Sequence, residues 1–181
     1  IERHKTIKNY VKAKFKLLKN QSRGSFAFVK GNDFLINKEL KSNRFNSQIV
    51  RVFTNKNDRF LKHVTNQYFF SETNKENLLF VLEISKRLNL KFSLLKKSIQ
   101  DFKGLKYRQQ IIYKKKFLTI INDSKSTSFS SSVSLLKIYP NIYWLVGGLH
   151  KKGDNLNLPK KYYKNIKAFV YGKNLKFFNK N

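Results

Sequence analysis

The sequence predicts an α/β fold with a mostly parallel sheet and helices on its faces. Three observations carry this: apolar segments of strand period and of helical period alternate along the second half; a short, wholly apolar run, Ile142 to Val146, has the character of a buried strand; and polar clusters fall where strands end. At 181 residues and 40% hydrophobic content the chain can build the core of one large domain or of two small ones.

The elements follow in order. Ile7, Tyr10, Val11, Leu17 and Leu18 recur at helical spacing, which predicts an amphipathic helix over Thr6 to Lys19 with Lys14 on its apolar stripe. Gly24 ends that pattern. Ser25 to Val29 reads as a strand, Gly31-Asn32-Asp33 as a turn and Ile49 to Phe53 as a second strand. Asn and Lys interrupt short apolar pairs between these strands and again from Thr54 to Phe70, so no element is assigned there. Thr73 followed by Glu76 forms a capping box, opening a helix that runs to Asn89 along Leu78, Val81, Leu82 and Leu88. Ser93 caps a further helix with Leu95, Ile99 and Phe102 on one face.

From Gly104 onward the expected elements are strands Arg108 to Tyr113 and Phe117 to Ile121, a helix Phe129 to Ile138, the strand Ile142 to Val146, a helix opened by Pro159, and a last strand Ile166 to Tyr171. The boundary at Phe102 to Gly104 divides residues 1–102 from an unfinished α/β domain over 103–181. Ligands of such sheets bind beyond the carboxyl ends of the strands.

Composition narrows the function. Cys is absent, which removes disulfides and thiolate metal sites and suits a reducing compartment. Met is absent as well, and Ile1 is an unsuitable residue to follow a trimmed Met, so the native start is expected upstream. No apolar run reaches the roughly 20 residues of a membrane span. The formal charge of +29 points toward polyanions, but the lysines are dispersed and accompany abundant Asn, Ile, Phe and Tyr, so general solubilisation by lysine is favoured over a dedicated nucleic-acid surface. His4, His63 and His150 have no zinc spacing, and no Ser/His/Asp order stands out.

The segment Asn122-Asp123-Ser124-Lys125-Ser126-Thr127 follows a strand and opens a helix, so backbone amides and Lys125 would face an anion there. Asp123 could accept from sugar hydroxyls or an adenine amine, or help hold a cation. On spacing alone the loop is equally an ordinary polar turn with Thr127 or Ser128 as N-cap.

Taken with Gly147-Gly148-Leu149-His150-Lys151-Lys152-Gly153-Asp154, this Asn-Asp-Ser-Lys strand end resembles the C-terminal domain of the Mur ligase family, in its D-glutamate-adding branch. Phe102-Lys103-Gly104-Leu105-Lys106-Tyr107-Arg108 is similar to the segment that opens that domain. Asn74-Lys75-Glu76-Asn77 resembles a helix start of the central ATPase domain, and Glu2-Arg3-His4 through Asn9-Tyr10-Val11-Lys12-Ala13-Lys14 a segment before it. The motifs occur in family order across nearly the whole chain.

The resemblance implies the latter part of a central ATPase domain (1–102) and an incomplete Rossmann-like C-terminal domain (103–181) from a cytoplasmic, ATP-dependent amide ligase, monomeric when complete. Its substrates would be UDP-N-acetylmuramoyl-L-alanine and D-glutamate, with no nucleic-acid partner. Lys14 would be carbamylated and help hold magnesium; a lysine on an apolar helix face is desolvated, which favours the neutral amine that reacts with carbon dioxide, although a snorkelling lysine fits the same position. Asn74, Asn77, Arg108 and Asp123 would contact ATP, Lys125 would act near its phosphates, and Thr127 and Lys151 would hold D-glutamate by its carboxylates.

The chain also departs from the family pattern. Tyr107 stands where His is usual, Ser128 where Asn is usual and Asn155 where an aromatic is usual, and no Gly-x-x-Gly-Lys-Thr phosphate loop occurs. The chain alone is therefore expected not to turn over ATP. The rival expectation is a basic module binding nucleic acid or nucleotide without catalysis, with Tyr68, Phe69, Phe70, Tyr143 and Trp144 available to stack on bases.

Overall fold

The computed structural model describes residues 2–54, 59–149, 151 and 153–180. The chain divides into two compact units, Ile1–His63 with Glu76–Leu95, and Val64–Lys75 with Lys96–Asn181.

In the first unit, helix α1 (Ile7–Lys19) begins where Thr6 Oγ1 accepts the Asn9 amide at 3.1 Å. Its inward face differs from the expected stripe. Val11, Phe15 and Leu18 turn inward at helical spacing, Phe15 lying 6.0 Å from the Phe45 ring, whereas Ile7 and Leu17 are 53% and 72% exposed. Strand β1 (Phe26–Lys30) pairs in parallel with β2 (Gln48–Val52), from Phe26 opposite Gln48 to Lys30 opposite Val52.

Parallel pairing needs a crossover, and helix α2 (Phe34–Ser42) supplies it. The sequence pattern assigned no element here, and none of this helix's residues is fully buried. Asp33, expected only as a turn residue, is its N-cap and accepts the Ile36 amide at 3.0 Å. Helix α3 (Glu72–Arg87) then packs Leu79 and Leu82 on Val52, with Phe28, Phe60, Leu61, Phe80 and Leu95 around them.

The start of α3 also corrects an expectation. Ser71 caps it, its Oγ accepting the Asn74 amide at 3.3 Å, while Thr73 lies inside the helix and bonds Ser134 Oγ at 3.0 Å. Glu76 is released from the expected capping box and pairs with Lys30 at 2.6 Å.

Helix α4 (Phe92–Asp101) begins in the first unit and ends in the second, under Asn66, whose amide donates to the carbonyls of Ile99 and Phe102 at 2.8 Å each. Phe102 stacks on Phe69 and meets Tyr68 edge-on. Strands β3 (Gln110–Lys115) and β4 (Leu118–Asn122) form an antiparallel hairpin, a departure from the expected mostly parallel sheet: only Lys116 and Phe117 connect them, too few residues for a parallel crossover.

Helix α5 (Phe129–Leu136) leads to β5 (Ile142–Gly147), which pairs in parallel with β6 (Ile166–Tyr171). Pro159 opens a 3-10 turn, Lys160–Asn165, in place of the expected α-helix, and helix α6 (Leu175–Lys180) closes the chain. The expected α/β character is present, but among the described residues the strands form three separate two-stranded sheets.

Candidate functional site

Two clusters in the second unit collect most of the candidate residues. The first lies at the end of β4. Asp123 is half-buried; its Oδ1 accepts the Gln109 amide at 3.0 Å and its carbonyl accepts the Ser126 amide at 2.8 Å. Its Oδ2 is buried without a hydrogen-bond partner, the Ser126 hydroxyl being paired with Ser132 Oγ at 3.0 Å. Burial raises the Asp123 carboxyl above its ordinary pKa, opposed first by the hydrogen bond from the Gln109 amide and also by the Arg108 guanidinium.

Arg108 is exposed, with its amide on the Leu105 carbonyl at 3.1 Å. Burial also raises the Tyr68 phenol, opposed by the Leu105 backbone and Arg108, while the Asp123 charge raises it further. Lys125 is exposed; its amide bonds the Tyr107 carbonyl at 3.0 Å, and its ammonium stands 5.8 Å from the centre of the Tyr107 ring. Tyr107 and Lys125 thus meet through both backbone and side chain.

Asn74 is buried, and both its amide hydrogens are engaged, by the Tyr68 carbonyl at 2.7 Å and Gln109 Oε1 at 2.9 Å. Any further contact it makes must use its carbonyl oxygen. Gln109, which the sequence did not single out, joins Asn74, Ser71 and Asp123 in one network.

The second cluster lies beyond β5. Lys151 Nζ donates to Thr127 Oγ1 at 3.0 Å, bringing together two exposed residues far apart in sequence. Ser128 takes the N-cap position of α5 but makes no capping bond; its hydroxyl instead pairs with Ser130 and Ser131. The Phe129 amide is served by Asp154 Oδ2 at 2.9 Å. The α5 N-terminus, expected to face an anion, therefore already holds a carboxylate of the chain. His150 and Lys152 lie outside the described residues.

The remaining candidates belong to the first unit. Asn77 is exposed on α3. Lys14 is exposed too, its ammonium 5.5 Å from the centre of the Tyr10 ring, so the desolvation expected for it is not found. No group of three His, Asp or Glu side chains placed to hold a metal occurs among the described residues. None of the described helices is long and apolar enough to cross a membrane. Of the aromatics considered for base stacking, Phe69 is buried, Trp144 packs on Phe129 and the exposed Tyr143 stacks on Phe169.

A parallel strand pair closing in a Gly-Gly turn, with a cation and a hydroxyl juxtaposed past its carboxyl end, is the α/β arrangement beyond whose strand ends ligands of such sheets are held. No protein-family profile matches the chain. Curated relatives are more specific. UDP-N-acetylmuramoylalanine–D-glutamate ligase from Rickettsia felis is 25% identical over 99% of this chain and 44% of its own length. The protein of that name from Rickettsia prowazekii is 26% identical over 95% of this chain and 42% of its own. That from Francisella tularensis subsp. mediasiatica is 36% identical over 69% of this chain and 31% of its own. The chain is a homologue of UDP-N-acetylmuramoylalanine–D-glutamate ligases and spans less than half the length of these relatives.

Proposed function

We propose that the chain is the segment of a peptidoglycan-synthesis ligase that binds ATP and captures D-glutamate. The observation that carries this is the Lys151–Thr127 pair at 3.0 Å, in a chain whose relatives are named for joining D-glutamate to UDP-N-acetylmuramoylalanine. In the full reaction a carboxylate oxygen of UDP-N-acetylmuramoyl-L-alanine attacks the γ-phosphorus of ATP and ADP leaves. The D-glutamate amine then attacks the acyl phosphate; phosphate leaves, a proton is lost and the amide remains. Thr127 and Lys151 offer a donor set suited to a carboxylate of the incoming amino acid.

Within this proposal Asp123 accepts from the nucleotide, for which its unpartnered Oδ2 is suited, with Arg108 and Asn77 as further ATP contacts. Asn74 stands beside the adenine with only its oxygen to offer, and Lys125 acts near the phosphates. ATP and magnesium are the proposed cofactors. Carbamylation of Lys14 belongs to the family resemblance; the exposed Lys14 of this structure, resting on Tyr10, does not by itself fit a magnesium site. The same proposal makes residues 1–102 the end of an ATP-binding domain and the whole enzyme a cytoplasmic monomer.

The test is steady-state kinetics on the full-length ligase carrying this segment. Lys151→Ala is expected to raise the D-glutamate KM by on the order of tenfold or more and to leave the ATP KM near parental, because the lost contact belongs to one substrate. Equal effects on both KM values would remove Lys151 from the D-glutamate site. The 181-residue chain alone is expected to show no magnesium-dependent ATP turnover, as it contains no Gly-x-x-Gly-Lys-Thr sequence.

A further inference from the structure

We infer that Asp154 is a positioning residue for D-glutamate capture, holding Lys151 at Thr127 by anchoring their loop to the start of α5; this rests on the D-glutamate function proposed above. Helix caps ordinarily come from the residue at the N-cap position itself. Here Ser128 occupies that position without bonding a helix amide, and the Phe129 amide receives the carboxylate of Asp154 at 2.9 Å, 25 residues along the chain. Two rungs therefore join the loop to this helix start: Lys151 on Thr127 and Asp154 on Phe129.

The rungs are coupled. The Asp154 amide closes a turn on the Lys151 carbonyl at 3.1 Å, and Gly153 within that turn adopts φ +75°, a conformation side-chain-bearing residues avoid. Fixing the Asp154 carboxylate thus fixes where the Lys151 backbone stands. At the other end of the loop, the Asn174 side chain holds the Gly148 carbonyl at 3.0 Å. Lys151 has a long flexible side chain, and its reach to Thr127 is reproducible only if its backbone is held. With Asp154 on the Phe129 amide, an incoming carboxylate is left the Lys151 ammonium and Thr127 hydroxyl in place of the helix amide.

The experiment is measurement of the D-glutamate and ATP KM values of the full-length ligase carrying this segment, on the parent, Asp154→Ala, Asp154→Asn, and Asp154→Ala combined with Ser128→Asn, alongside thermal melting of each; the affinity expected to change is that for D-glutamate, with the ATP KM near parental. Asn at position 128 restores a local cap without adding a charge. The expected result is a loss of D-glutamate affinity on the order of tenfold in Asp154→Ala. Asp154→Asn, which keeps an acceptor for Phe129, should stay within about threefold of the parent. The double variant should regain the parental melting temperature and still bind weakly. Recovery of both properties would reduce Asp154 to a helix cap and overturn the inference, as would parental affinity in Asp154→Ala. If the parental full-length ligase shows no D-glutamate dependence, the proposed function falls, and this inference with it.

Discussion

The chain contains two parallel strand pairs of similar length and opposite burial. In β1–β2, Ala27, Val29, Val50 and Val52 are buried, and Val52 lies in the apolar cluster with Leu79 and Leu82. In β5–β6 no residue is fully buried, and Tyr143, Leu145, Phe169 and Tyr171 present an exposed face. Parallel strands are normally covered on both sides. The less covered pair ends in the Gly-Gly turn and carries the loop with Lys151, whereas the covered pair bears none of the candidate ligand-binding residues. Between these two strand pairs tight packing and candidate chemistry are separated, consistent with ligand-holding loops being drawn from the less stable parts of a fold.

The largest expected effect tests that contrast directly. Leu82→Ala should cost roughly 2–5 kcal/mol in denaturant unfolding, since the cavity opens inside the cluster with Val52 and Leu79. Leu145→Ala, at a position 72% exposed, should change stability by less than about 0.5 kcal/mol. A comparable loss at Leu145 would mean that its face is covered in solution, and the contrast would fail.

Gly147→Ala comes next. A Cβ there would sit 2.1 Å from the Tyr171 carbonyl oxygen, backbone of the paired strand that cannot turn aside. Overpacking of this kind costs roughly 1–3 kcal/mol. In the covered pair's unit, Gly31→Ala would instead meet the Phe53 ring at 2.8 Å, a side chain able to rotate. Gly147→Ala should therefore lower the melting temperature more than Gly31→Ala; the reverse order would show that β5–β6 yields more readily than β1–β2.

The strands behind this contrast were legible in the sequence, their difference in burial was not, and the site geometry was so only partly. Ile142 to Val146 announced itself as a strand because its residues are consecutively apolar or aromatic, and Ile166 to Tyr171 because only Lys167 interrupts an apolar and aromatic run. The exposure of one face did not show, since Tyr143 and Leu145 are as apolar as buried strand residues. α2 was missed because Asn37, Lys38 and Lys41 obscure its apolar positions, yet Asp33 ahead of Phe34 was a readable start signal. Thr127 and Lys151 were paired through the family motif, and no local spacing could have brought them together. Asp154 was missed for the same reason, its partner being remote in sequence. The signal available was its charge: with only 10 acidic residues against 39 Lys and Arg, an aspartate in a lysine-bearing loop is conspicuous.

The Asp123 carboxyl provides a test with a direction in pH. Burial raises its pKa above the ordinary 3.8, so the folded chain binds this proton more tightly than the unfolded chain. Its contribution to stability is fully present below the unfolded value and is lost as the pH rises through the raised folded value. Asp123→Asn, uncharged at every pH, should therefore gain in melting temperature relative to the parent as the pH climbs from that ordinary value toward neutrality. A difference independent of pH would place the cost in the hydrogen bond to Gln109 and not in the buried charge.

The smallest effects compare two ion pairs that begin on the same helix and serve different units. Glu76 of α3 meets Lys30 of β1 at 2.6 Å, both side chains about one-third exposed, in the unit with the covered strands. Glu72, four residues earlier, stands 3.5 Å from Lys137 in the other unit and is 76% exposed. A short, partly desolvated pair is screened less than an open one, so Glu76→Gln should cost up to about 1 kcal/mol and Glu72→Gln less than about 0.5 kcal/mol. The difference should persist in about 0.5 M salt, where the Glu72 effect vanishes first because water and ions reach it. Equal losses that disappear together on adding salt would show that both pairs are solvated alike, and that the covered strand pair is held by its apolar cluster and not by the Lys30–Glu76 link.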